Sequence, residues 1–280
     1  MEIAKVGVAG FGTMGSEIAL VAAAAGYEVA VYEIVPEVIE RNLKRLSKVL
    51  RMMNREDSEE QRAQAISRIE AGTDFSALAD CDLIIEAVLE EIELKKQVFA
   101  RLGKEAKEDA ILATNTSSFG VTELASASGR PERFLGLHFF NPPSQMQLVE
   151  VVPGLLTNDD VRETVVAFVQ KLGKKPVVVK ETPGYIVNRV LVAMAVEAMS
   201  LVEQGAGTVK EVDDALRLGA GWPLGPFKLM DLVGLDVFLH ACDAIYRELG
   251  DAKFRPPQVL KRYVSAGLLG RKTKQGFYKY

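Results

Sequence analysis

The chain of 280 residues is 48% hydrophobic and 26% charged, with a formal net charge of −4, a composition that suits a globular protein with room for two ordinary domains. Acidic and basic residues interleave, so no field able to hold a nucleic-acid backbone is present and nucleic acid is excluded as the expected partner. Cys81 and Cys242, the two cysteines, lie far apart without metal-type spacing, which argues against a disulfide framework and a bound metal and suits a reducing, cytoplasmic setting.

In chain order, residues 2–32 read as strand, tight turn, helix and strand: "EIAKVGVAG", an Ala-rich stretch closing at Gly26, then "YEVAVYE". Glycines and Glu17 interrupt this apolar region, and no basic flank with a small-residue cleavage site accompanies it, so neither a membrane span nor a signal segment is expected. Residues 36–71 form an excursion. Pro36 suits a first helical turn, and Ile39, Leu43, Leu46, Leu50 and Met53 mark one face at helical spacing. A second helix starts at Ser58, where Gln61 completes a capping-box pattern, and the two helices are expected to stand off the sheet as a hairpin. Apolar runs follow at "DLIIEAV" (82–88), "AILAT" (110–114), "FLGLHFF" (134–140), "LVEVV" (148–152) and "PVVVK" (176–180). Short apolar strands alternating with helices predict a largely parallel sheet covered on both faces.

After "ETPGYIVNR" the alternation stops. Helices are expected over 186–204, 208–219 and 236–249. The first is apolar almost all round despite Asn188, Arg189 and Glu197, so it needs more cover than about 95 residues supply, and burial against a second copy of the chain is expected. The predicted organisation is an α/β Rossmann-type dinucleotide-binding domain over 1–183 with a helical hairpin insertion, followed by an all-helical substrate and dimerisation domain over 184–280.

"GFGTMG" places Gly10, Gly12 and Gly15 between a strand and a helix. The first glycine permits the turn, the second admits a pyrophosphate to the backbone, and the third lets helix pack on strand, with Thr13 and Met14 opening the helix beneath the phosphates. Glu33, 18 residues past Gly15, ends the second strand, where a carboxylate accepts from ribose hydroxyls and repels a 2′-phosphate. With no arginine before Arg41, NAD is favoured over NADP, unless Glu33 is simply a solvent-facing strand end. His138 lies in an apolar run and on residue type alone reads either as a core histidine or as a base. Glu150, in an equally apolar strand, needs a partner if buried. Lys44, Lys48, Arg51 and Arg55 form a basic stripe at helical spacing, either a solvated face or a phosphate track.

"GFGTMG", "DLIIEAVLE", "TNTSS", "RPERFLGLHFFNP", "LVEVV", "ETPGYIVNR" and "GFYKY", in this order nearly end to end, resemble the short-chain L-3-hydroxyacyl-CoA dehydrogenases. The resemblance implies NAD as cofactor, an acyl-CoA substrate and His138 as general base, with Glu150 on the far ring nitrogen. It further implies Ser117 and Asn188 as hydrogen-bonding partners of the substrate oxygen, and places Glu90, Lys95, Asn115 and Asn141 at the nicotinamide and its ribose. Lys48 and Arg51 are the candidates for CoA phosphates. His240 is read as structural.

The chain departs from that pattern at "FFNPPSQMQLVEV", where family members usually read "FFNPVPVMKLVEV". Ser144, Gln145 and Gln147 thereby suit either an acyl group bearing a carboxyl or hydroxyl, or a solvent-facing loop. Lys274 stands where a glycine is common. Two other readings compete: a reductase of the 3-hydroxyacid or 6-phosphogluconate type, which places a lysine where this chain has Asn188, and a non-catalytic dinucleotide-binding protein.

Overall fold

Strands made almost wholly of Val, Ile, Leu and Ala require cover on both faces, and the first of the chain's two units, Met1–Glu181, provides it. The computed structural model describes residues 2–53 and 58–280. Its first unit contains β1 (Lys5–Ala9), α1 (Thr13–Ala24), β2 (Glu28–Tyr32), α2 (Pro36–Met53), α3 (Glu59–Ser67), β3 (Ile69–Gly72), β4 (Leu83–Glu86), α4 (Ile92–Glu105), β5 (Ile111–Thr114), α5 (Val121–Ser128), β6 (Phe134–Phe139), β7 (Leu148–Pro153), α6 (Asp159–Lys171) and β8 (Lys175–Val178). Among the described residues the strands form one sheet in the order β3-β2-β1-β4-β5-β6-β7-β8. β3 through β6 run parallel, β7 turns back antiparallel on β6, and β8 runs parallel to β7. The order reverses between β1 and β4, and such a switch point opens a crevice at the carboxyl ends of the strands. The Rossmann-type sheet expected from the alternation is thus present.

The excursion differs in two respects from its sequence reading. Ser58 and Gln61 do exchange the two bonds of a capping box, but the chain then enters β3, a strand of four residues at the sheet edge. Four residues ending in glycine carry too little alternation to announce a strand. Nor is the helix pair a projecting arm: Ile39, Leu46, Leu50 and Ala65 join the same core as Ile18 and Leu20 of α1, because α2 and α3 pack on α1. Arg55 lies outside the described residues.

The second unit, Thr182–Tyr280, contains α7 (Val187–Glu203), α8 (Val209–Gly219), α9 (Pro226–Val233), α10 (Leu235–Leu249) and α11 (Gln258–Ser265). The three expected helices correspond to α7, α8 and α10. The helices α9 and α11 were not anticipated, since eight residues barely complete two turns of apolar periodicity. Val192, Met199, Phe227, Met230, Phe238, Cys242 and Leu260 form the core of this unit. Two buried carboxylates fasten the C-terminal tail. Asp213 accepts from the amides of Phe227 and Lys228 and from the Tyr278 hydroxyl, and Asp231 accepts from the amides of Phe277 and Tyr278. No helix among the described residues is long and apolar enough to cross a membrane.

Candidate active site

The turn from β1 into α1 has the geometry a diphosphate requires. Gly10 adopts φ +97°, its N–H donates to the Tyr32 carbonyl at 2.8 Å, and a Cβ there would press on Ala87 and Val88. A Cβ on Gly15 would collide with the Gly10 carbonyl, whereas one on Gly12 would meet nothing within 4 Å. That open space faces the first turn of α1, where no side chain caps the helix and no acidic residue competes with an anion. Thr13 and Met14 begin this turn. At the end of β2, Glu33 accepts from the Phe11 amide at 2.9 Å and the Val35 amide at 3.1 Å. Both carboxylate oxygens are therefore fixed beside the glycine turn, as ribose recognition requires.

Beyond the switch point, a closed ring of polar groups joins the ends of β4 and β5. Lys95 on α4, 1% exposed, bridges Glu86 at 2.7 Å and Glu90 at 3.0 Å. The Thr114 hydroxyl donates to Glu86 at 2.8 Å, the Thr116 amide donates to the Thr114 hydroxyl at 3.2 Å, and the Thr116 hydroxyl donates to Glu90 at 2.5 Å. Glu90 also accepts from the Ser117 amide at 3.1 Å, so it sets the position of the half-buried Ser117. Glu86 was not singled out from the sequence, although an acidic residue inside "DLIIEAV" is a signal of a buried, partnered charge.

His138 on β6 and Glu150 on β7 stand directly opposite in the antiparallel register. Their side chains face the same side, and His138 Nδ1 lies 2.7 Å from Glu150 Oε2 with both groups buried. The Phe140 ring packs against the imidazole at 4.5 Å between centroids. Asn115 accepts from the Phe139 amide at 2.9 Å, which ties the loop after β5 to the strand carrying the histidine. Asn141 is exposed just past that strand.

The loop after Asn141 is braced by charges that sequence reasoning missed. Glu17 on α1 is 3% exposed. It accepts from Arg45 of α2 at 2.9 Å and from the Ser144 amide at 3.2 Å. Lys174 donates to the carbonyls of Pro143 and Met146 at 2.6 and 2.8 Å, and burial lowers its ammonium pKa. Gln145 and Gln147 are exposed, and Ser144 is half-buried.

The first unit thus brings Gly10, Gly12, Thr13, Met14, Gly15, Glu33, Glu90, Lys95, Asn115, Ser117, His138, Glu150 and Asn141 to the crevice side of one sheet. Lys44, Lys48 and Arg51 lie apart on the exposed face of α2, with Arg51 3.9 Å from the still more exposed Glu59. Asn188 belongs to the second unit, half-buried in the first turn of α7.

Residues 5–182 match the NAD-binding domain of 3-hydroxyacyl-CoA dehydrogenase, and residues 184–280 match its C-terminal domain. A 3-hydroxybutyryl-CoA dehydrogenase of Bradyrhizobium diazoefficiens is 42% identical over 280 residues, spanning 99% of this chain and 96% of that protein. The mitochondrial hydroxyacyl-coenzyme A dehydrogenase of Mus musculus is 41% identical over 287 residues, with 99% and 91% covered. Among solved structures, the (S)-3-hydroxybutyryl-CoA dehydrogenase of Ralstonia eutropha gives a TM-score of 0.95 at 37% identity, covering 100% of this chain and 99% of that one. Matched from end to end in sequence, domain order and fold, this chain belongs to the 3-hydroxyacyl-CoA dehydrogenase family.

Proposed function

We propose that this chain interconverts an L-3-hydroxyacyl-CoA and the corresponding 3-ketoacyl-CoA with NAD, acting on short acyl chains such as 3-hydroxybutyryl. The observation that carries the reading is the His138–Glu150 pair. A carboxylate at Nδ1 holds the ring hydrogen there and leaves the lone pair of the neutral imidazole on Nε2. Nε2 is then the atom that removes the proton from the 3-hydroxyl as C3 loses its hydride, and Glu150 stabilises the imidazolium that results. In the opposite direction the imidazolium protonates the ketone oxygen. NAD, when bound, supplies the hydride acceptor.

The remaining residues bind and orient. Ser117 and Asn188 donate to the ketone and accept from the alcohol. Gly10, Gly12, Thr13, Met14 and Gly15 cradle the pyrophosphate, and Glu33 takes the adenosine ribose. Asn115, Asn141, Glu90 and Lys95 line the nicotinamide side, while Lys48 and Arg51 meet phosphates of CoA. The exposed apolar residues Val190, Leu232, Val233 and Val237 support a homodimer formed through the helical unit. Two free, buried thiols suit a cytoplasmic enzyme.

The test is oxidation of NADH by acetoacetyl-CoA, followed by absorbance, in the wild type and His138→Gln. Loss of acid-base assistance lowers turnover by about 10² to 10⁴ while NADH affinity persists. A variant that turns over at the wild-type rate would remove His138 from the mechanism. A wild type that binds NADH and ignores acetoacetyl-CoA, yet reduces a carboxyl-bearing 3-ketoacyl-CoA, would move the substrate to the functionalised class.

A further inference from the structure

The cluster at the ends of β4 and β5 carries one more negative charge than its ammonium balances. Glu86 accepts from Lys95, from the Val88 amide and from the Thr114 hydroxyl. Glu90 accepts from Lys95, the Thr116 hydroxyl and the Ser117 amide. Each of these six bonds is donated to a carboxylate oxygen. The Thr114 hydroxyl accepts from the Thr116 amide and, among the described residues, has Glu86 as its one acceptor, so its hydrogen is the one directed at Glu86. A protonated Glu86 donating to that hydroxyl would leave the threonine hydrogen without an acceptor, so the six bonds are satisfied together by two ionised carboxylates sharing one ammonium.

Such an arrangement is costly to bury. Burial pushes the Glu86 carboxyl up more than Lys95, Thr114 and Val88 pull it down. Glu90 is also pushed up by burial, but Lys95 and Thr116 outweigh that and hold it below the usual carboxylate range. The Glu86 side chain is fully enclosed, whereas that of Glu90 is 32% exposed. The cluster therefore presents its excess charge through Glu90. In an open parallel sheet a dinucleotide lies across the switch point. With Glu33 on β2 taking the adenosine side, the nicotinamide side falls at β4 and β5, where Glu90 is open.

We propose that the Glu86–Lys95–Glu90 cluster selects the charge state of the nicotinamide, favouring the cationic oxidised ring over the neutral reduced one. Glu86 is a positioning residue in this scheme. By claiming a share of Lys95 it prevents the ammonium from neutralising Glu90. The inference rests on the dehydrogenase reading of the same crevice.

The experiment is isothermal titration of the full-length chain with NAD+ and, separately, with NADH, in the wild type, Glu86→Gln and Glu90→Gln, with no acyl-CoA present. Removing one unit charge several ångströms from the ring, at an effective dielectric of about 50, between the values for a protein surface and for bulk water, moves the preference by about tenfold. The ratio of the NAD+ to the NADH dissociation constant is therefore expected to rise about tenfold in both variants. A ratio that stays constant, including one in which both affinities fall together, overturns the proposal, as does a shift of the opposite sign. Should Glu86→Gln fail to fold with an amide facing Lys95, the more exposed Glu90→Gln decides alone. No substrate enters the titration, so the two readings fail separately. An inactive protein that binds both cofactors counts against the dehydrogenase, and an active one with an unmoved ratio counts against charge selection.

Discussion

Lys274 has a left-handed backbone, φ +61°, the region that favours the glycine expected at this place from the family resemblance. A Cβ disfavours that region by about 1 kcal/mol, and the turn holds because the Lys274 amide donates to the Arg271 carbonyl and its carbonyl accepts from Tyr280. Lys274→Gly is expected to stabilise the chain by about 1 kcal/mol, raising the thermal midpoint by about 2 °C. A lower midpoint in a calorimetric scan would show that the lysine side chain contributes more than its backbone costs. The sequence alone marked this position as odd without giving a reason, since φ is not written in residue order. His138 and Glu150 were more legible, because a rare residue type and a lone acid each stood out against an apolar strand. Glu86 gave the same signal as Glu150 and was passed over, whereas Glu17 and Lys174 gave none. Their partners come from other elements, and a charge that folding will bury looks the same in sequence as one left in water.

Among the elements, α2 serves two purposes with opposite faces. Its inner face reaches the glycine turn, where Asn42 donates to the Phe11 carbonyl at 2.6 Å and Arg45 pairs with Glu17 and the Ser16 hydroxyl. Its outer face carries Lys44, Lys48 and Arg51. Substitutions on the two faces should have separable effects. Glu17→Gln leaves Arg45 without its carboxylate and weakens the acceptor of the Ser144 amide, a loss of about 2 to 3 kcal/mol read by chemical denaturation. The Lys48→Ala/Arg51→Ala pair should leave stability within about 0.5 kcal/mol and raise the KM for acyl-CoA without changing that for NAD. Equal increases in both constants would place CoA elsewhere. Long elements were readable, α2 from the spacing of its apolar residues and α7 from the length of its apolar run. β3, α9 and α11 were not, because so short a segment is settled by what it packs against.

For the molecule as a whole, alternation of short apolar strands with helices was enough to indicate a parallel sheet, and its end marked the onset of a helical unit. What covers that unit is a different question. Val190 is 63% exposed and Val237 49% exposed, an apolar surface of the kind that marks an interface. Light scattering at micromolar concentration is expected to give a mass of twice 30.6 kDa, and a value for one chain would remove the homodimer. One feature of the sheet bears on how such a protein changes over generations. His138 meets Glu150 because β6 and β7 pair in register, and the ladder, not the intervening loop, sets that meeting. Mutations can therefore rewrite residues 143–147 as "PSQMQ" while the His138–Glu150 pair stays in place. A slip of the ladder by one residue would turn every side chain of one strand to the opposite face and part the two side chains at once.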